Sequence, residues 1–200
     1  MTTTYTSRQH ESTDDGATNE ALHTVADRLT DHGFDITGPA WEQSYHMHLT
    51  NVRGALCEVD LNENGAVVWE YRPLYGTSIT PSQIVDMVKS ILGTSSANDH
   101  DLALKSCPDL TLKGMVGRSL AECGMGVCLK VIHQDDVNFE VYAEIEVSNP
   151  SQPTRGNVRV ADDSTIRWEC CLSSPSAGAE GMQPRDIAEI IARALAGRNT

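Results

Sequence analysis

The apolar residues of this chain follow two different spacings. Four segments place an apolar residue every three or four positions, which is the spacing of an amphipathic helix; they span residues 19–32, 81–92, 109–124 and 184–195. The segments between them alternate apolar and polar residues, as strands with one buried face do. The pattern therefore predicts an α+β fold with antiparallel strands.

The predicted strands fall into two groups, one between the first two helices and one between the last two. The first group covers 34–37, 45–49, 57–61 and 67–71, and the second covers 127–133, 139–147, 158–160 and 166–170. Turn-forming residues separate neighbouring strands within each group. Each half thus consists of a helix, three or four antiparallel strands and a second helix.

The two halves look like copies of one unit. Trp69 with its following glutamate recurs as Trp168 with a following glutamate, and each pair precedes a helix opened by proline, Pro81 or Pro184. Those helices keep the same apolar phase, and both tryptophans alternate with apolar residues, which predicts core positions. We therefore predict a tandem repeat of two α-β-α units, each an antiparallel sheet with helices on one face, packed as a pseudo-dimer.

Composition sets the predicted boundaries of these units. Residues 1–17 are polar and lack an apolar period, so we expect a disordered tail. The first unit covers 18–93 and the second covers 108–200. The small and polar residues of 94–107 form the predicted linker between them.

The charge of the chain excludes some classes of partner. The formal charge is −13 and the pI is near 4.8, with 15 basic residues scattered along the sequence. Binding to nucleic acid or to an anionic membrane needs clustered Lys and Arg, so neither is expected. No apolar run reaches the roughly 18–20 residues that a membrane span requires, and residues 1–16 contain no apolar segment. We expect a cytoplasmic protein.

The cysteines do not predict a metal centre. The chain has six, and none of them forms a CxxC pair. Structural zinc sites need ligands paired at that kind of spacing, so we expect reduced thiols. The adjacent Cys170 and Cys171 should point to opposite faces of one strand.

The sharpest chemical candidate is a pair of histidines two residues apart, His46 and His48. On a strand both imidazoles lie on one face, where Asp60 or Glu58 of the next strand would add a carboxylate. The metal site that the sequence offers therefore consists of His46, His48 and Asp60.

A solvated sheet face with cross-strand charge pairs is the plainer interpretation of the same residues. Alignment of the two halves puts Glu144 and Glu146 at the histidine positions, and Arg159 at the position of the aspartate. A face that stays polar while its residues change is typical of exposure to water.

Two loops are candidates for recognition. The loop after the first tryptophan strand contains Arg72, Leu74 and Tyr75, and the longer loop in the second half carries Met182. Because both loops join a strand to a helix at equivalent places, we expect these four residues to contribute to a binding surface.

No segment specifies a catalytic chemistry. The chain has neither a G-x-S-x-G elbow nor a phosphate-binding G-x-x-x-x-G-K, and nothing beside its cysteines would activate a thiolate. The sequence favours a non-enzymatic, cytoplasmic protein-binding module, chaperone-like or accessory, that engages another polypeptide without a cofactor. The alternative is a metal- or small-molecule-binding enzyme, with its site on the first sheet or between the units. The oligomeric state stays open, and a homo-oligomer is one option.

The first half resembles small, uncharacterised actinobacterial proteins. The resemblance lies in residues 65–73, Gly-Ala-Val-Val-Trp-Glu-Tyr-Arg-Pro, followed by Gly76 and by residues 81–88, and it extends over 20–93. It implies no activity, and the second half lacks the Tyr-Arg-Pro. The order helix, strands, helix is also similar to type III secretion chaperone-like proteins, which bind protein segments as dimers. That likeness implies that the two halves stand in for two subunits.

Overall fold

A computed structural model describes the fold of residues 14–37, 46–62, 65–77, 79–94, 111–133, 141–173 and 181–196. The helices are α1 (Asp14–Asp31), α2 (Pro81–Leu92), α3 (Leu112–Glu122) and α4 (Pro184–Ala194), with a short 3-10 helix at Pro153–Arg155. The strands are β1 (Ile36–Thr37), β2 (His46–Leu49), β3 (Ala55–Leu61), β4 (Ala66–Pro73), β5 (Gly126–His133), β6 (Val141–Ser148), β7 (Asn157–Val160) and β8 (Ile166–Cys171). Within these residues, no helix has the length and apolar character needed to cross a membrane.

The eight described strands form one antiparallel sheet in the order β1-β2-β3-β4-β8-β7-β6-β5. The predicted α+β class with antiparallel strands is therefore confirmed. We expected a separate sheet for each half, but β4 pairs with β8, and Trp69 lies opposite Trp168 in this pairing. Pairing the two strands satisfies backbone hydrogen bonds that two free edges would leave open, which is the physical reason for one continuous sheet.

One face of the sheet and all four helices share a single hydrophobic core. The core contains Leu22 of α1, Ile84 of α2, Val116 of α3 and Ile187 of α4 together with the inward side chains of the strands. Helix α4 packs against α1 and α2, and α2 packs against α3.

Both tryptophans are fully buried in this core, as predicted. The Trp69 indole N–H donates to the sulfur of Cys57 at 3.0 Å, and the Trp168 indole N–H donates to the carbonyl of Arg155 at 2.6 Å. Because neither ring reaches the surface, both tryptophans belong to the shared core and are not exposed to a ligand.

Helix α2 begins where the proline predicts. Pro81 lies in its first turn, and Thr80 with Gln83 forms a reciprocal capping box. The Thr80 backbone N–H donates to Gln83 Oε1 at 2.9 Å, and the Gln83 backbone N–H donates to Thr80 Oγ1 at 3.3 Å. This satisfies two of the backbone donors that a helix start leaves free. Pro184 likewise lies in the first turn of α4, but its N-cap residue Gln183 makes no side-chain capping hydrogen bond.

Two helix starts differ from the prediction. Helix α1 begins at Asp14, so residues 14–17, which we assigned to the tail, form its first turn. Helix α3 begins at Leu112, because the Thr111 hydroxyl accepts from the backbone N–H of Gly114 at 3.4 Å and so caps the helix. The remaining predicted tail, 1–13, and nearly all of the predicted linker lie outside the described residues.

Candidate functional site

The sheet face opposite the helices carries mostly polar side chains in two rows that cross the strands. One row is His48, Glu58, Glu70, Arg167, Arg159 and Glu146, and the next is His46, Asp60, Val68, Glu169, Asn157 and Ser148. Of these residues only Val68 is buried. Over the described part of the chain this face is therefore accessible to water, and we call it the open face.

Two histidine side chains converge near one edge of the open face. His46 Nε2 lies 2.9 Å from His48 Nε2, and the rings meet edge to face with centroids 4.3 Å apart. The other ring nitrogen of each histidine contacts a carboxylate: His46 Nδ1 contacts Asp60, and His48 Nδ1 lies 3.2 Å from Glu58 Oε1. We call these four residues the histidine cluster.

The strand register explains why this cluster forms. Alternation along β2 puts both histidines on the open face, and the antiparallel pairing with β3 sets His46 opposite Asp60 and His48 opposite Glu58. The side chains are 28–45% exposed, so ions and water can reach them. The structure thus brings together the predicted candidates His46, His48 and Asp60, and it places Glu58, the other carboxylate that the sequence offered, beside His48.

Permanent charges occupy the open face in the second half. The Lys130 ammonium contacts the Glu146 carboxylate, and Arg159 Nε lies 3.4 Å from the same carboxylate. We call these three residues the Glu146 cluster. With Arg167 they help line a shallow depression of about 320 Å³ whose lining residues all belong to the second half. Small-molecule sites are mostly apolar, so this charged depression does not favour the small-molecule alternative.

The register also corrects the alignment of the two halves. Counted outwards from the central tryptophan pair, Met47 of β2 and Val147 of β6 occupy equivalent places. His46 therefore matches Glu146, and His48 matches the serine that follows Val147. The alignment made from sequence was wrong by two residues in this strand, because alternating residues give the same facing pattern after a shift of two.

An exposed group with apolar character lies at one end of the open face. Leu56 of β3 is the register partner of Arg72 on β4, and Leu74 and Tyr75 lie in the turn that follows β4. Both leucines are nearly half exposed, and the Tyr75 side chain is fully exposed. We call Leu56, Arg72, Leu74 and Tyr75 the Tyr75 patch.

Hydrogen bonds fix the turn that carries Tyr75. The Leu74 N–H donates to the Gly54 carbonyl at 2.8 Å, and the Thr77 N–H donates to the Leu74 carbonyl at 2.9 Å. The Thr77 hydroxyl also donates to the Gly54 carbonyl at 2.7 Å. Gly76 has a φ of +85°, which residues with side chains rarely adopt. The exposed ring therefore stands on an ordered backbone.

Met182, the fourth predicted binding residue, lies in a different environment. It is 8% exposed and pairs with Leu172 through an isolated parallel bridge. Strands β4 and β8 are antiparallel, so the loops that follow them leave from opposite ends of the sheet centre. The structure consequently places Arg72, Leu74 and Tyr75 together and Met182 away from them.

Sequence reasoning did not select Leu56 for this patch, although a signal for it exists. Leu56, Glu58 and Asp60 alternate along β3 and share one face, so the leucine interrupts an otherwise polar stripe. A large apolar residue at a polar-face position is a sign of a contact surface.

The buried thiols of Cys57 and Cys170 are unreactive at neutral pH. Burial raises the pKa of Cys57 to about 12, against the opposing effect of its hydrogen bond from Trp69. Burial also raises the pKa of Cys170, while its neighbour Cys171 is exposed, as the strand alternation predicts. Because the thiolate is the reactive form, neither buried cysteine serves as a nucleophile at neutral pH.

Comparisons with family models, with curated proteins and with solved structures found no match to this chain.

Proposed function

We propose that this protein is a non-enzymatic, cytoplasmic protein-binding module with a chaperone-like or accessory role, and that the Tyr75 patch is its recognition surface. One observation carries the proposal. The fully exposed aromatic side chain of Tyr75 stands on a turn that hydrogen bonds tie to the turn before β3. A large side chain that the described residues leave fully exposed gains favourable burial when a partner covers it.

The composition of the patch and its fixed backbone support this role. Tyrosine and arginine are enriched at the energetically dominant centres of protein interfaces. Binding costs conformational entropy when a loop must become ordered, and a turn that is already ordered avoids that cost. The hydrogen bonds from Leu74 and Thr77 to Gly54 therefore favour tight binding as well as stability.

The partner that fits this patch is a polypeptide segment with apolar side chains and at least one carboxylate. The apolar side chains would cover Leu56, Leu74 and Tyr75. The carboxylate would face Arg72 and the neighbouring exposed Arg53, which make the patch locally basic in a chain of net charge −13. Arg72 is exposed in its contact with the partly buried Glu70. Ion pairs near the surface are worth at most about 1 kcal/mol, so this contact does not prevent an incoming carboxylate from binding.

We also propose that the chain is a tandem duplication folded as a pseudo-dimer, as the likeness to type III secretion chaperone-like proteins implies. The strand order supports this, because the second group of four strands follows the first group in reverse across the β4–β8 pair. The proline-led helices α2 and α4, one in each half, support it as well. The equivalent place of Arg72 is occupied by Cys171, so the Tyr75 patch occurs in one half and we expect one partner per chain.

Site-specific photo-crosslinking tests the proposed surface. A benzoyl-phenylalanine would replace Tyr75 in the full chain, and the same residue at Met115 on α3 would serve as an exposed control. We expect a discrete, light-dependent product with another polypeptide from position 75 only, and we expect Arg72→Glu to abolish that product.

Three results would contradict the proposal. The first is that position 75 gives no product, and the second is that both positions give the same products. The third is a product with twice the mass of the chain. The last result would make a second copy of this chain the occupant and the Tyr75 patch a self-association surface.

A further inference from the structure

The histidine cluster has a feature that cross-strand charge pairs do not require, because two ring nitrogens face each other. His46 Nε2 and His48 Nε2 are 2.9 Å apart, while each Nδ1 contacts a carboxylate. We propose that the two Nε2 atoms bind a Zn²⁺ ion, with Asp60 and Glu58 as positioning residues that hold the imidazoles. This site is separate from the Tyr75 patch and does not depend on the proposed protein-binding role.

The carboxylates determine where each imidazole carries its proton. A neutral imidazole has one N–H donor and one lone pair, and an ionised carboxylate can only accept. Asp60 therefore favours a proton on His46 Nδ1, and Glu58 favours one on His48 Nδ1. Both Nε2 atoms then present lone pairs to each other, and this arrangement is repulsive unless a cation binds them. Carboxylates that hold zinc-binding histidines from the far nitrogen act in the same way.

The separation of the two nitrogens suits a zinc ion. Zinc-to-imidazole bonds are about 2.0–2.1 Å long. Two Nε2 atoms 2.9 Å apart can both reach one ion at that length with an N–Zn–N angle of about 90°. A tetrahedral angle requires roughly 0.4 Å more separation, which partly exposed side chains can provide by small rotations.

The surroundings allow the coordination shell to be completed. One ligand atom each from His46, His48 and Glu58 lies within 4.8 Å of the others. Glu58 contacts Nδ1 of His48 and not Nε2, so it positions that ring and does not complete the coordination shell. Both imidazoles are 33–45% exposed, and an exposed zinc site takes water at the positions that the protein leaves open. Imidazole ligands also favour Zn²⁺ over Mg²⁺ or Ca²⁺, which prefer oxygen.

A proton shared between the two Nε2 atoms would take the place of the zinc ion. If one imidazole carries its proton on Nε2 and donates it to the other, the cluster is a hydrogen-bonded charge pair without metal affinity. Direct measurement of zinc binding separates the two cases.

The experiment uses the full chain without an affinity tag, stripped with a chelator, kept reduced, and titrated with Zn²⁺ against a chromophoric competitor. We expect one ion per chain, bound more weakly as the pH falls because protons compete for Nε2. His46→Ala and His48→Ala should each weaken binding at least about tenfold, and Asp60→Asn should weaken it by about tenfold. His32→Ala is the matched control, because His32 also pairs with one carboxylate, Glu189, but lies outside the cluster; its affinity should stay within about twofold of the wild type.

The melting temperature of each variant in excess chelator shows whether it is folded, so a loss of affinity can be assigned to the site. Absence of zinc binding by the wild type at micromolar Zn²⁺ would overturn the proposal. Wild-type affinity in the double variant His46→Ala/His48→Ala would overturn it too, because the ion would then lie elsewhere, for example on exposed cysteines.

Discussion

Two equivalent places on the open face each hold one basic and one acidic side chain on neighbouring strands, but the strands that carry them are exchanged. In the first half, His46 on β2 meets Asp60 on β3. In the second half, Glu146 on β6 meets Arg159 on β7. Each pair joins neighbouring strands at the same distance from the tryptophan pair, but the positive and negative partners are exchanged.

The pairs differ in the chemistry of their positive partners. Guanidinium and ammonium groups only donate hydrogen bonds, so Lys130 and Arg159 offer no lone pair to a metal ion. A neutral imidazole has one lone pair, which can bind a metal ion. With the zinc site proposed above, the first half of the open face responds to zinc ions and the second half does not.

The largest effect on the free energy of unfolding is expected at one of two glycines that directly precede equivalent strands. These are Gly156 before β7 and Gly54 before β3. Their φ values are +71° and +70°, so alanine is strained at both positions by about 1–2 kcal/mol. A Cβ on Gly156 would also collide with the backbone carbonyl of Glu169, whereas one on Gly54 would meet only the Thr77 side chain at 2.9 Å.

Gly156→Ala should therefore lower the free energy of unfolding by more than about 4 kcal/mol or prevent folding, and Gly54→Ala by about 1–3 kcal/mol. Urea denaturation measures both values. Equal losses would mean that the backbone around Gly156 relaxes freely, against the packing described here.

The second prediction concerns the two tryptophans that face each other across β4 and β8, Trp69 and Trp168. Trp168→Phe leaves the Arg155 carbonyl without its donor, whereas Trp69→Phe removes a bond to the sulfur of Cys57, a weak acceptor. Both variants lose similar buried area. Trp168→Phe should therefore lower the free energy of unfolding by about 1–3 kcal/mol more than Trp69→Phe does. A larger loss for Trp69→Phe in urea denaturation would contradict this ranking.

The third effect is a loss of stability at alkaline pH. Burial raises the pKa of Cys57 from 9.0 to about 12, so between these values the folded chain keeps a proton that the unfolded chain releases. The stabilising contribution is complete below pH 9 and is lost as the pH rises towards 12, with a slope of up to about 1.4 kcal/mol per pH unit. Cys57→Ala should reduce the slope, and Cys171→Ala, at an exposed position, should leave it unchanged. Urea denaturation between pH 8 and pH 11 measures the free energy of unfolding of each variant. An unchanged pH slope in Cys57→Ala would show that this thiol is not responsible.

The smallest expected effect is the change in the free energy of unfolding when the carboxylate of each charge pair, Glu146 or Asp60, is neutralised. Glu146→Gln removes the shared counter-charge of Lys130 and Arg159 and should lower the free energy of unfolding by about 1 kcal/mol. Asp60→Asn should cost less than about 0.5 kcal/mol, because an asparagine oxygen still accepts from His46 and both side chains are partly exposed. A costlier Asp60→Asn in metal-free protein would indicate that the histidine cluster is itself a structural charge pair.

Most of the fold could be predicted from local patterns. Proline at the first helical turn predicted the starts of α2 and α4, and alternation predicted all eight described strands. The predicted start of α3 at residue 109 was wrong, because Asp109 and Thr111 are both N-cap residue types and only the structure shows that Thr111 caps the helix. The pairing of β4 with β8 was also missed, because a strand's sequence does not say which edge it will meet.

The candidate site was predictable only in part. Two histidines at alternate positions indicate a shared face, so His46, His48 and Asp60 could be nominated from sequence. Met182 could not be placed, because an apolar residue in a loop does not reveal whether its own side chain will be buried, as that of Met182 is. The Tyr75 patch depends on hydrogen bonds between two turns that are distant in sequence, and these are visible only in the fold.

The proton positions on His46 and His48 test the account most directly, because the distinction between the two halves depends on free lone pairs at both Nε2 atoms. Long-range ¹H–¹⁵N correlation spectra of metal-free protein at mildly alkaline pH report which nitrogen of each imidazole is protonated. We expect Nδ1–H on both histidines and a shift of both Nε2 signals when Zn²⁺ is added. A proton on the Nε2 of either histidine, with no response to Zn²⁺, would contradict it.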